Sequence, residues 1–497
     1  MGATPENYCL LQGFEWNVPA DQKHYIRLKN VLQDLKDIGI DNVWLPPACK
    51  GAGGTEANGY DIYDLYDIGE FDQKGGKSTK WGPREDLDAL AGHAQELGVG
   101  LYFDAVLNHK AGADKTEKCR VVEVDPDDRT KDKGDPYEIS AWLGFEFPGR
   151  GDKYSSQKYH WEHFSGTDYD AGNDRTAIFR ILGDNKHWSS SVGDESGNAD
   201  FLMFADVDYS HPEVEADVIH WGEWVVSEFK LKGFRFDACQ HFSERFTNEF
   251  VANLERKFGK NNLFLVGEFW SGNVGEMLEY LDEMAHKFSL LSTTESADLR
   301  KVFDGSLVAA RPESAVTVVM NHDTQPGQTV ATPIEGFFKP IAYSLILLRQ
   351  QGYPSIFYGD LYGMKGQHPE PPSCGGKLPH LVLARKLFAY GEQDDYFDEA
   401  NCLGFVRRGT SDRPAGLACV LSNAAPGKKR MAVGKEHAGE IWTDVLGWQT
   451  DEVKIDDEGY GEFMCPGTSV SVWVNKMAEG RDKIDNLDFD AEIYNRA

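Results

Sequence analysis

Apolar positions along the first hundred residues recur with two alternating periods. Short runs that are apolar almost throughout, typical of strands buried on both faces, cover residues 9–16, 42–46 and 99–107. Between these runs, apolar residues recur at i, i+3, i+4 and i+7, as on one face of a helix: Leu28, Val31, Leu32 and Leu35, then Leu87, Leu90, Ala91 and Ala94. Buried strands separated by amphipathic helices predict a parallel sheet that is covered on both faces.

The pattern changes further along the chain. Between residues 110 and 211 the apolar runs are short and irregular, and this stretch is too long for a loop, so it predicts an inserted domain. The alternation of strands and helices returns over residues 212–398. From residue 399 to residue 476, short strands separated by turns predict an antiparallel β-sandwich. Residues 477–497 are polar and acidic, and we expect them to form a surface tail.

This organisation predicts an α/β fold, a (β/α)8 TIM barrel with additions. The barrel would comprise residues 1–109 and 212–398, with the irregular β-rich domain of residues 110–211 inserted after its third strand. Residues 399–476 would form the C-terminal sandwich domain. A doubly wound sheet is the alternative, but no GxGxxG motif follows the first strand, which weakens it.

The charge narrows the range of partners. The chain has 497 residues, of which 51 are basic and 81 acidic, so its formal net charge is −30. Such a surface repels nucleic acid and anionic membranes, and no apolar tract approaches the length of a membrane span. A neutral substrate or a bound cation is compatible with this charge. We expect a monomer without a nucleic-acid or membrane partner.

The cysteines and the N-terminus bear on the cellular compartment. The eight cysteines are scattered without a CxxC pair, which indicates isolated buried thiols in a reducing compartment. No basic and then apolar leader precedes the first strand. We therefore predict a cytoplasmic protein. A secreted protein in its mature form, without its signal peptide, is the alternative.

Polar clusters follow four of the apolar strands, where a (β/α)8 barrel carries its functional groups. A single acid after a strand more often caps a turn or forms an ion pair, but four such strand ends together indicate a site. Two carboxyl groups on one barrel face suit glycoside hydrolysis, because one protonates the leaving oxygen while another attacks or stabilises the sugar cation. The clusters are Asp104–His109, Arg235–Asp237, Gly267–Trp270 and Asn321–Asp323.

These clusters carry a resemblance to a known family. The segments that resemble the ordered motifs of the α-amylase family, glycoside hydrolase family 13, are Asp104–His109, Phe204–Asp208, Gly233–Ala238, Val266–Glu268 and Asn321–Asp323. The segments that look like the bacterial liquefying α-amylases and their intracellular-type relatives are 59–65, 147–151, 322–328 and 357–360. The resemblance extends over residues 8–476 and implies retaining endo-hydrolysis of α-1,4-glucosidic bonds in starch, glycogen or maltodextrins.

The resemblance implies a role for each catalytic residue. Asp237 would be the nucleophile that forms a glycosyl-enzyme, Glu268 the general acid/base, and Asp323 the third acid, which grips sugar hydroxyls. Arg235 lies two residues before Asp237 and therefore on the same strand face. A neighbouring guanidinium lowers the pKa of a carboxylate by about 1–3 units, so we expect Arg235 to hold the nucleophile ionised.

The resemblance also implies contacts with the substrate. Tyr60 would be a stacking platform for a sugar ring, and His109 and His322 would bond to sugar hydroxyls; ordinary buried packing of the two histidines is the alternative. Gln240 and His241 would lie on the leaving-group side of the cleft. Gln240 stands where the family often has Lys, so we expect the preference for chain length or the product pattern to differ.

A structural calcium is the implied cofactor. Its ligands would be Asn108, Asp200, Asp206 and the backbone carbonyl of His241, and such oxygen donors suit a hard cation. The alternative is that the two acids only cap turns. The liquefying enzymes have a further sodium-bridged metal cluster, but two positions that resemble its carboxylate ligands are Ser165 and His187 here. We therefore expect a single calcium.

The chain is about ten residues shorter than its relatives between Trp270 and Ala315. The shortening follows residues 286–291, where the sixth barrel strand should lie. A strand needs only a few residues, so it can still form. Without the loop after it, either the cleft would be more open at this point or the strand would pack imperfectly.

Two alternatives to hydrolysis stay open. A glucanotransferase of the same family would pass the glycosyl unit to a sugar acceptor instead of water, and the motifs do not separate it from a hydrolase. A glucan-binding protein without catalysis is the second alternative, and the presence of all three acids argues against it.

Overall fold

The first part of the chain folds into alternating strands and helices. The computed structural model describes residues 7–294 and 296–497, so positions 1–6, where we expect no leader, lie outside the described residues. The elements are β1 (Leu10–Gln12), α1 (His24–Ile38), β2 (Asn42–Trp44), β3 (Lys50–Gly51), β4 (Ile62–Asp64), α2 (Arg84–Leu97) and β5 (Gly100–Ala105). Helices α1 and α2 end at Gly39 (φ +106°) and Gly98 (φ +71°), and the left-handed glycine turns the chain towards the next strand.

Residues 109–207 carry a six-stranded antiparallel sheet that leaves the barrel directly after β5. Its strands are β6 (His109–Lys110), β7 (Lys115–Val124), β8 (Asp132–Gly144), β9 (Phe164–Asp170), β10 (Arg175–Ile181) and β11 (Ala205–Val207). Their spatial order is β6-β11-β9-β10-β7-β8. Because the first and last strands pair with each other, the insertion begins and ends at one point, beside the C-terminal end of β5.

Eight parallel strands close a barrel, which confirms the predicted fold class. The elements that complete it are α3 (Pro212–Phe229), β12 (Gly233–Phe236), α4 (Glu244–Phe258), β13 (Phe264–Gly267), α5 (Val274–Glu283), β14 (Ser289–Ser292), α6 (Leu307–Ala310), β15 (Ala315–Val318), α7 (Lys339–Leu348), β16 (Tyr353–Phe357), α8 (Tyr358–Tyr362) and α9 (Leu378–Phe388). The order around the barrel is β1-β2-β5-β12-β13-β14-β15-β16, and β16 pairs with β1. None of the described helices is both long and apolar enough to cross a membrane.

Two antiparallel sheets form the C-terminal part, in the orders β17-β18-β19-β24-β21-β22 and β20-β23. The strands are β17 (Gln393–Glu399), β18 (Cys402–Arg407), β19 (Leu417–Ser422), β20 (Gly427–Ala432), β21 (Ile441–Asp444), β22 (Val453–Lys454), β23 (Tyr460–Cys465) and β24 (Ser469–Asn475). Because β17 pairs with β18, residues 393–398 join this sheet and not the barrel to which the sequence assigned them. The side chains of β17 are largely polar and partly exposed, so the strand gave no apolar signal.

The sixth barrel strand, β14, is complete, so the prediction of imperfect packing is wrong. It pairs in parallel with both β13 and β15. The short segment after it is held by the C-terminal sheets. The Leu299 backbone N–H donates to the Ala400 carbonyl (2.8 Å), and the Asn423 side chain donates to the Ala297 carbonyl (2.9 Å). These contacts hold the segment between β14 and α6 in place.

The last 21 residues lie mostly on the surface, as the sequence predicts, but they are partly folded and anchored to the barrel. They form α10 (Arg481–Asp485) and a 3-10 turn at Ile493–Arg496, and this turn packs against α1. Ile484 and Ile493 are fully buried, and the Asn30 side chain of α1 donates to the Arg496 carbonyl. The few apolar residues are widely spaced among acids, so the composition of this stretch did not indicate that any of them is buried.

Candidate active site

One buried guanidinium gathers three carboxylates at the C-terminal end of the barrel. Arg235 on β12 lies beside Asp104 on β5, and its Nη1 donates to Asp104 Oδ1 (2.8 Å) and to Asp237 Oδ1 (2.7 Å). Its Nη2 donates to Glu268 Oε2 (2.5 Å). Asp237 and Glu268 directly follow neighbouring parallel strands, β12 and β13, so the barrel register alone brings them to one guanidinium.

The turn after β12 aims a backbone group at Glu268. Ala238 has a left-handed backbone (φ +44°), which is strained for a residue with a side chain, and such strain is concentrated at functional sites. This turn lets the Ala238 N–H donate to Glu268 Oε2 (3.3 Å). The other oxygen, Glu268 Oε1, is buried and has no hydrogen-bond partner among the described residues. One carboxyl oxygen is therefore fixed, and the second can carry a proton.

Asp323 completes the group of acids from β15. The Asn321 side chain caps the turn, because its Oδ1 accepts from the N–H groups of Asp323 (3.0 Å) and Thr324 (2.8 Å). The Asp323 side chain is 28% exposed, compared with 11% for Asp237 and 6% for Glu268. Its carboxylate is therefore the most accessible of the three to a ligand in the cleft.

Burial changes the protonation of these acids. It raises the pKa of Asp104 to about 7 against the opposing effect of Arg235. It raises the pKa of Asp323 to about 8, and the neighbouring charge of Glu268 adds to this shift. Burial also raises the pKa of Asp237, although Arg235 lowers it. Arg235 therefore lowers the pKa of Asp237 as expected, but the loss of hydration outweighs this effect, so the net shift is upwards.

Two of the predicted sugar-contacting residues, Tyr60 and His322, stack on each other. The rings of Tyr60 and His322 are parallel, with centroids 5.0 Å apart and an interplanar angle of 4°. His322 Nδ1 accepts from Gln12 Nε2 (3.0 Å), so its Nε2 carries the proton, 3.3 Å from Asp323 Oδ2. His109 Nε2 donates to the Tyr60 carbonyl (2.8 Å). These contacts fix the tautomers of both rings.

Both histidines are neutral at physiological pH. Burial lowers the pKa of His109 to about 4 and lowers the pKa of His322 well below its ordinary value. Each ring is almost fully buried, so most of its surface packs against the protein, as in the alternative interpretation of the two histidines. A neutral ring in a fixed tautomer can offer one N–H or one lone pair to a sugar hydroxyl.

Sequence reasoning missed several residues that support the site. Trp44 Nε1 donates to Asp104 Oδ2 (2.9 Å), and the Tyr60 hydroxyl donates to the same oxygen (3.1 Å). Trp16 lies parallel to Tyr60, with ring centroids 6.0 Å apart. Asp104 belongs to the Asp104–His109 cluster, but the resemblance implied no role for it. Trp44 ends its strand β2, so its place at a strand end was the available signal.

Gln240 lies against the backbone after β13. It is buried, and its side-chain amide spans the end of β13. In the orientation that satisfies both groups, its nitrogen donates to the Glu268 carbonyl and its oxygen accepts from the Trp270 N–H, both at 3.3 Å. His241 is also turned inwards, and its Nδ1 donates to the Ala199 carbonyl (2.6 Å). The exposed aromatic group at this rim is Trp270, 49% exposed.

Oxygen atoms of the inserted domain and the barrel converge beside the site. The Asn108 side-chain amide lies 2.8 Å from the His241 carbonyl oxygen and 3.3 Å from the Asp200 carbonyl oxygen. If the Asn108 amide nitrogen faces these two carbonyl oxygens, it donates to both. If the Asn108 amide oxygen faces them instead, three oxygens lie together and need a cation between them. Burial raises the pKa of Asp200 to about 7, and it raises the pKa of Asp206 well above its usual range. This donor set fits a hard cation.

A second group of possible ligands does not fit a metal ion. His163, His211 and Glu213 lie close together. However, His163 Nδ1 accepts from the His160 N–H (2.9 Å), so the proton is on Nε2, which faces Glu213 Oε2 at 3.3 Å. A protonated nitrogen has no lone pair for a metal, and the contact is a hydrogen bond.

A lysine supplies the positive charge near the two positions that depart from the liquefying enzymes. The buried Lys186 Nζ donates to the Glu162 carbonyl, to the Phe164 carbonyl (3.1 Å) and to Asp208 Oδ2 (2.6 Å). The Ser165 hydroxyl donates to Asp206 Oδ2. Three oxygens of the inserted domain thus accept from an ammonium group of the chain itself, which also neutralises the Asp208 carboxylate.

Comparisons with known proteins agree with this geometry. A family model described as "Alpha amylase, catalytic domain" matches residues 28–415, and one described as "Alpha-amylase C-terminal" matches residues 417–474. The chain is 42% identical over 484 residues to an "Alpha-amylase" of Bacillus licheniformis, covering 95% of this chain and 94% of the relative. It is 39% identical over 490 residues to the "Cytoplasmic alpha-amylase" of Escherichia coli (strain K12), covering 94% and 99%.

Solved structures share the fold. An α-amylase from Geobacillus thermoleovorans in complex with acarbose has a TM-score of 0.57 at 15% identity, covering 95% of this chain and 99% of that one. CldA, described as a cyclomaltodextrin glucanotransferase with three domains, has a TM-score of 0.60 at 16% identity, with the same coverage. At such identities the likeness concerns the fold alone.

Proposed function

Because the chain belongs to the α-amylase family of glycoside hydrolases, which act on α-1,4-glucans, we propose that it is an endo-acting, retaining enzyme with Asp237, Glu268 and Asp323 as its catalytic acids. The observation that carries the proposal is the single guanidinium of Arg235, which binds both Asp237 and Glu268. Sharing one guanidinium draws the two carboxyl groups together. This favours the separation of about 5–5.5 Å of retaining enzymes over the wider spacing of inverting ones.

The first step would form a covalent intermediate. Asp237 attacks the anomeric carbon while Glu268 gives its proton to the glycosidic oxygen, so the leaving glucan departs as an alcohol. The free oxygen Glu268 Oε1 is suited to hold this proton, because Arg235 and the Ala238 N–H occupy the other oxygen. Arg235 also stabilises the ionised form of Asp237 against the effect of burial.

The second step would release the sugar. Glu268, now ionised, takes a proton from water, and the water oxygen attacks the anomeric carbon and displaces the Asp237 carboxylate. Asp323 would bind hydroxyls of the distorted ring, supported by its exposure and by the His322 N–H beside it. Tyr60 and Trp16 would support the sugar by stacking, because their parallel rings flank this point.

The physiological substrate would be starch, glycogen or maltodextrins. A neutral glucan is compatible with a net charge of −30, which would repel polyanions. We also propose a cytoplasmic location, supported by the relative named as cytoplasmic and by the eight buried free cysteines. A secreted mature protein stays the alternative.

We expect incubation with maltoheptaose to yield only shorter maltooligosaccharides. Water competes as the acceptor, so the plain hydrolase forms no product longer than the substrate. Chromatography with detection of each chain length, over a range of substrate concentrations, makes this measurement. Products longer than maltoheptaose from the first minutes would instead identify a glucanotransferase, the activity in the description of CldA.

We propose that one calcium joins the inserted sheet to the barrel. Asn108, Asp200, Asp206 and the His241 carbonyl would hold it. This is supported by the Asn108 amide beside the backbone carbonyls of His241 and Asp200, and by the effect of the Asp200 charge on the neighbouring Asp206. When bound, the ion supplies positive charge to two buried acids whose pKa values are raised without it. Its role would be structural, since Asn108 lies in the link between β5 of the barrel and β6 of the inserted sheet, which the ion would tie to the rest of that sheet.

Chelation is expected to lower the melting temperature by several degrees, and added calcium to restore it. An ion that binds only the folded state at about 100 times its Kd stabilises that state by about 2.7 kcal/mol. Differential scanning calorimetry with and without EDTA measures the effect, and atomic emission after dialysis measures the bound metal.

Asp206→Asn should abolish this response to EDTA, whereas Asp194→Asn, at an exposed position of the same domain, should keep it. Equal melting temperatures with and without EDTA, together with no bound calcium after dialysis, would show that the acids only cap turns.

A further inference from the structure

Two of the eight cysteines lie against each other between the two sheets of the C-terminal part. Cys402 is the first residue of β18 in one sheet, and Cys465 is the last residue of β23 in the other. Both are buried, at 6% and 1% exposure, in one apolar cluster with Met431 and Phe463. The two side chains therefore point into the same core from opposite layers.

Gly427 makes the space in which the two sulfurs meet. It pairs in register with Cys465 across β20 and β23, so side chains at these two positions share a face. A Cβ atom on Gly427 would lie 2.4 Å from Cys402 Sγ and 3.5 Å from Cys465 Sγ. The sulfurs are thus no farther apart than the sum of these distances, and the two thiols interact directly.

We propose that Cys402 and Cys465 are a redox modification site, at which a small-molecule disulfide such as oxidised glutathione forms a reversible cross-link between the two sheets. The Cys402 thiolate attacks glutathione disulfide, forms a mixed disulfide and releases one glutathione thiol. The Cys465 thiolate then attacks the Cys402 sulfur and releases the second glutathione. Two protein thiols are oxidised, one glutathione disulfide is reduced, and both protons pass to the released thiols.

The surroundings assign the attacking role to Cys402. The neighbouring Cys465 and the Lys429 ammonium lower the pKa of Cys402. Cys402 is the more exposed of the two, at 6% compared with 1% for Cys465. Cys402 also follows the exposed residue Asn401 in the turn between β17 and β18, which gives an oxidant a route to it. A low-pKa cysteine near the surface beside a resolving cysteine is the arrangement that redox-active pairs use.

The other six cysteines lack this arrangement. Among the described residues, none of them has a second cysteine as a hydrogen-bond partner. Burial raises the pKa of Cys9 and Cys119 to about 12, and it raises the pKa of Cys49, Cys239, Cys374 and Cys419 as well. Buried thiols of this kind are poor nucleophiles. Oxidation would therefore be selective for the pair.

The cross-link would act on the end of the C-terminal sheets that contacts the barrel. The turn before Cys402 contains Ala400, whose carbonyl accepts from the Leu299 N–H. Asn423, in the loop before Gly427, donates to the Ala297 carbonyl. Both contacts hold the short segment after the sixth barrel strand, so oxidation would stiffen the support of that segment.

The test treats the full chain with oxidised glutathione or with dithiothreitol and compares the two forms. We expect the oxidised form to titrate two fewer thiols in denaturant than the eight of the reduced form. Peptide mapping without reduction should find the Cys402 and Cys465 peptides joined. The melting temperature should rise by several degrees, because the cross-link closes a long loop, and dithiothreitol should reverse all three changes.

Single variants test the order of attack. Cys465→Ser should stop at a glutathione adduct on Cys402, and Cys402→Ser should form neither an adduct nor the cross-link; Cys119→Ser, outside the pair, should behave as wild type. Eight titratable thiols after oxidation of the wild type, or a cross-link between other cysteines, would overturn the proposal. If a variant does not fold, the thiol count and the peptide map of the wild type still decide whether the cross-link forms.

Discussion

Glu268→Gln is expected to lower kcat on starch by about a thousandfold while glucan binding and the fold persist, because an amide has no proton to give to the leaving oxygen. The substitution keeps the size of the side chain and its contacts with Arg235 and the Ala238 N–H, so the surroundings need not rearrange. Initial rates of reducing-sugar release, with affinity electrophoresis in glycogen for binding, measure both quantities.

The assignment of Glu268 as the acid/base has a sharper test in a substrate that needs no acid. With α-maltosyl fluoride the leaving fluoride needs little protonation, so Glu268→Gln should form the glycosyl-enzyme and then stall, because no base activates water. Azide, a nucleophile that needs no base, should restore turnover. Intact-mass spectrometry should detect the stalled adduct on Asp237.

Asp237→Asn should be inactive with both starch and α-maltosyl fluoride, and it should form no adduct. Glu279→Gln, on the exposed face of α5, is the matched control and should retain wild-type rates. An adduct in Asp237→Asn, or azide rescue of Asp237→Asn instead of Glu268→Gln, would mean that the two roles are exchanged. Full activity in either active-site variant would remove these acids from the mechanism.

Arg235→Met is expected to give the largest loss of stability of any single substitution at the site. The guanidinium is fully buried and binds Asp104, Asp237 and Glu268, so its removal leaves three buried carboxyl groups without their cation. Breaking a buried ion pair from one side costs about 3–5 kcal/mol of the free energy of unfolding. Activity should be lost as well, because Asp237 would lose the guanidinium that opposes the rise of its pKa on burial.

The loss of stability in Arg235→Met should depend on pH. Asp104 has a pKa of about 7 even beside the guanidinium, and without it the pKa would rise further. A carboxyl group whose folded-state pKa is raised contributes most below its unfolded pKa, and that contribution is lost as the pH rises through the folded-state pKa. Both proteins share the same unfolded-state pKa, so the deficit relative to wild type should grow as the pH rises above about 7, the folded-state pKa of Asp104 in the wild type.

Urea unfolding followed by tryptophan fluorescence at several pH values measures this deficit. Arg256→Met, at an exposed position on α4, is the control, and it should change stability little at any pH. Arg235→Lys should lie between the two, because an ammonium keeps the charge but lacks the planar fork that reaches three partners. A deficit that does not change with pH would contradict the inference that the buried acids carry the cost.

The sequence predicted the barrel and its acids well because both follow from local patterns. Apolar runs mark the buried strands, and a residue just after such a strand, like Asp237 or Glu268, must appear at the C-terminal end of the barrel. What failed depended on contacts between distant segments. The support of residues 297–299 by Ala400 and Asn423 has no local signal. The burial of Ile484 and Ile493 has no local signal either, because the composition of the stretch around them is acidic.

The electrostatics of the site were also beyond the sequence. The spacing of Arg235 and Asp237 correctly indicated their contact, since residues two apart on a strand share a face. It could not indicate that Asp104 and Glu268 share the same guanidinium, or that all four side chains lose their water. The orientation of Gln240 towards the backbone of β13 likewise depends on a neighbour in the next strand.

Lys186 has a consequence for how the inserted domain responds to its medium. An ion bound from solution exchanges with the surroundings and is lost on dilution or when a competitor takes it up, whereas an ammonium group tethered to the backbone does neither. The Phe164 carbonyl and the Asp208 carboxylate, which accept from Lys186, are therefore occupied at every metal concentration. The contacts of Lys186 therefore form when the inserted domain folds, and they need no ion from solution.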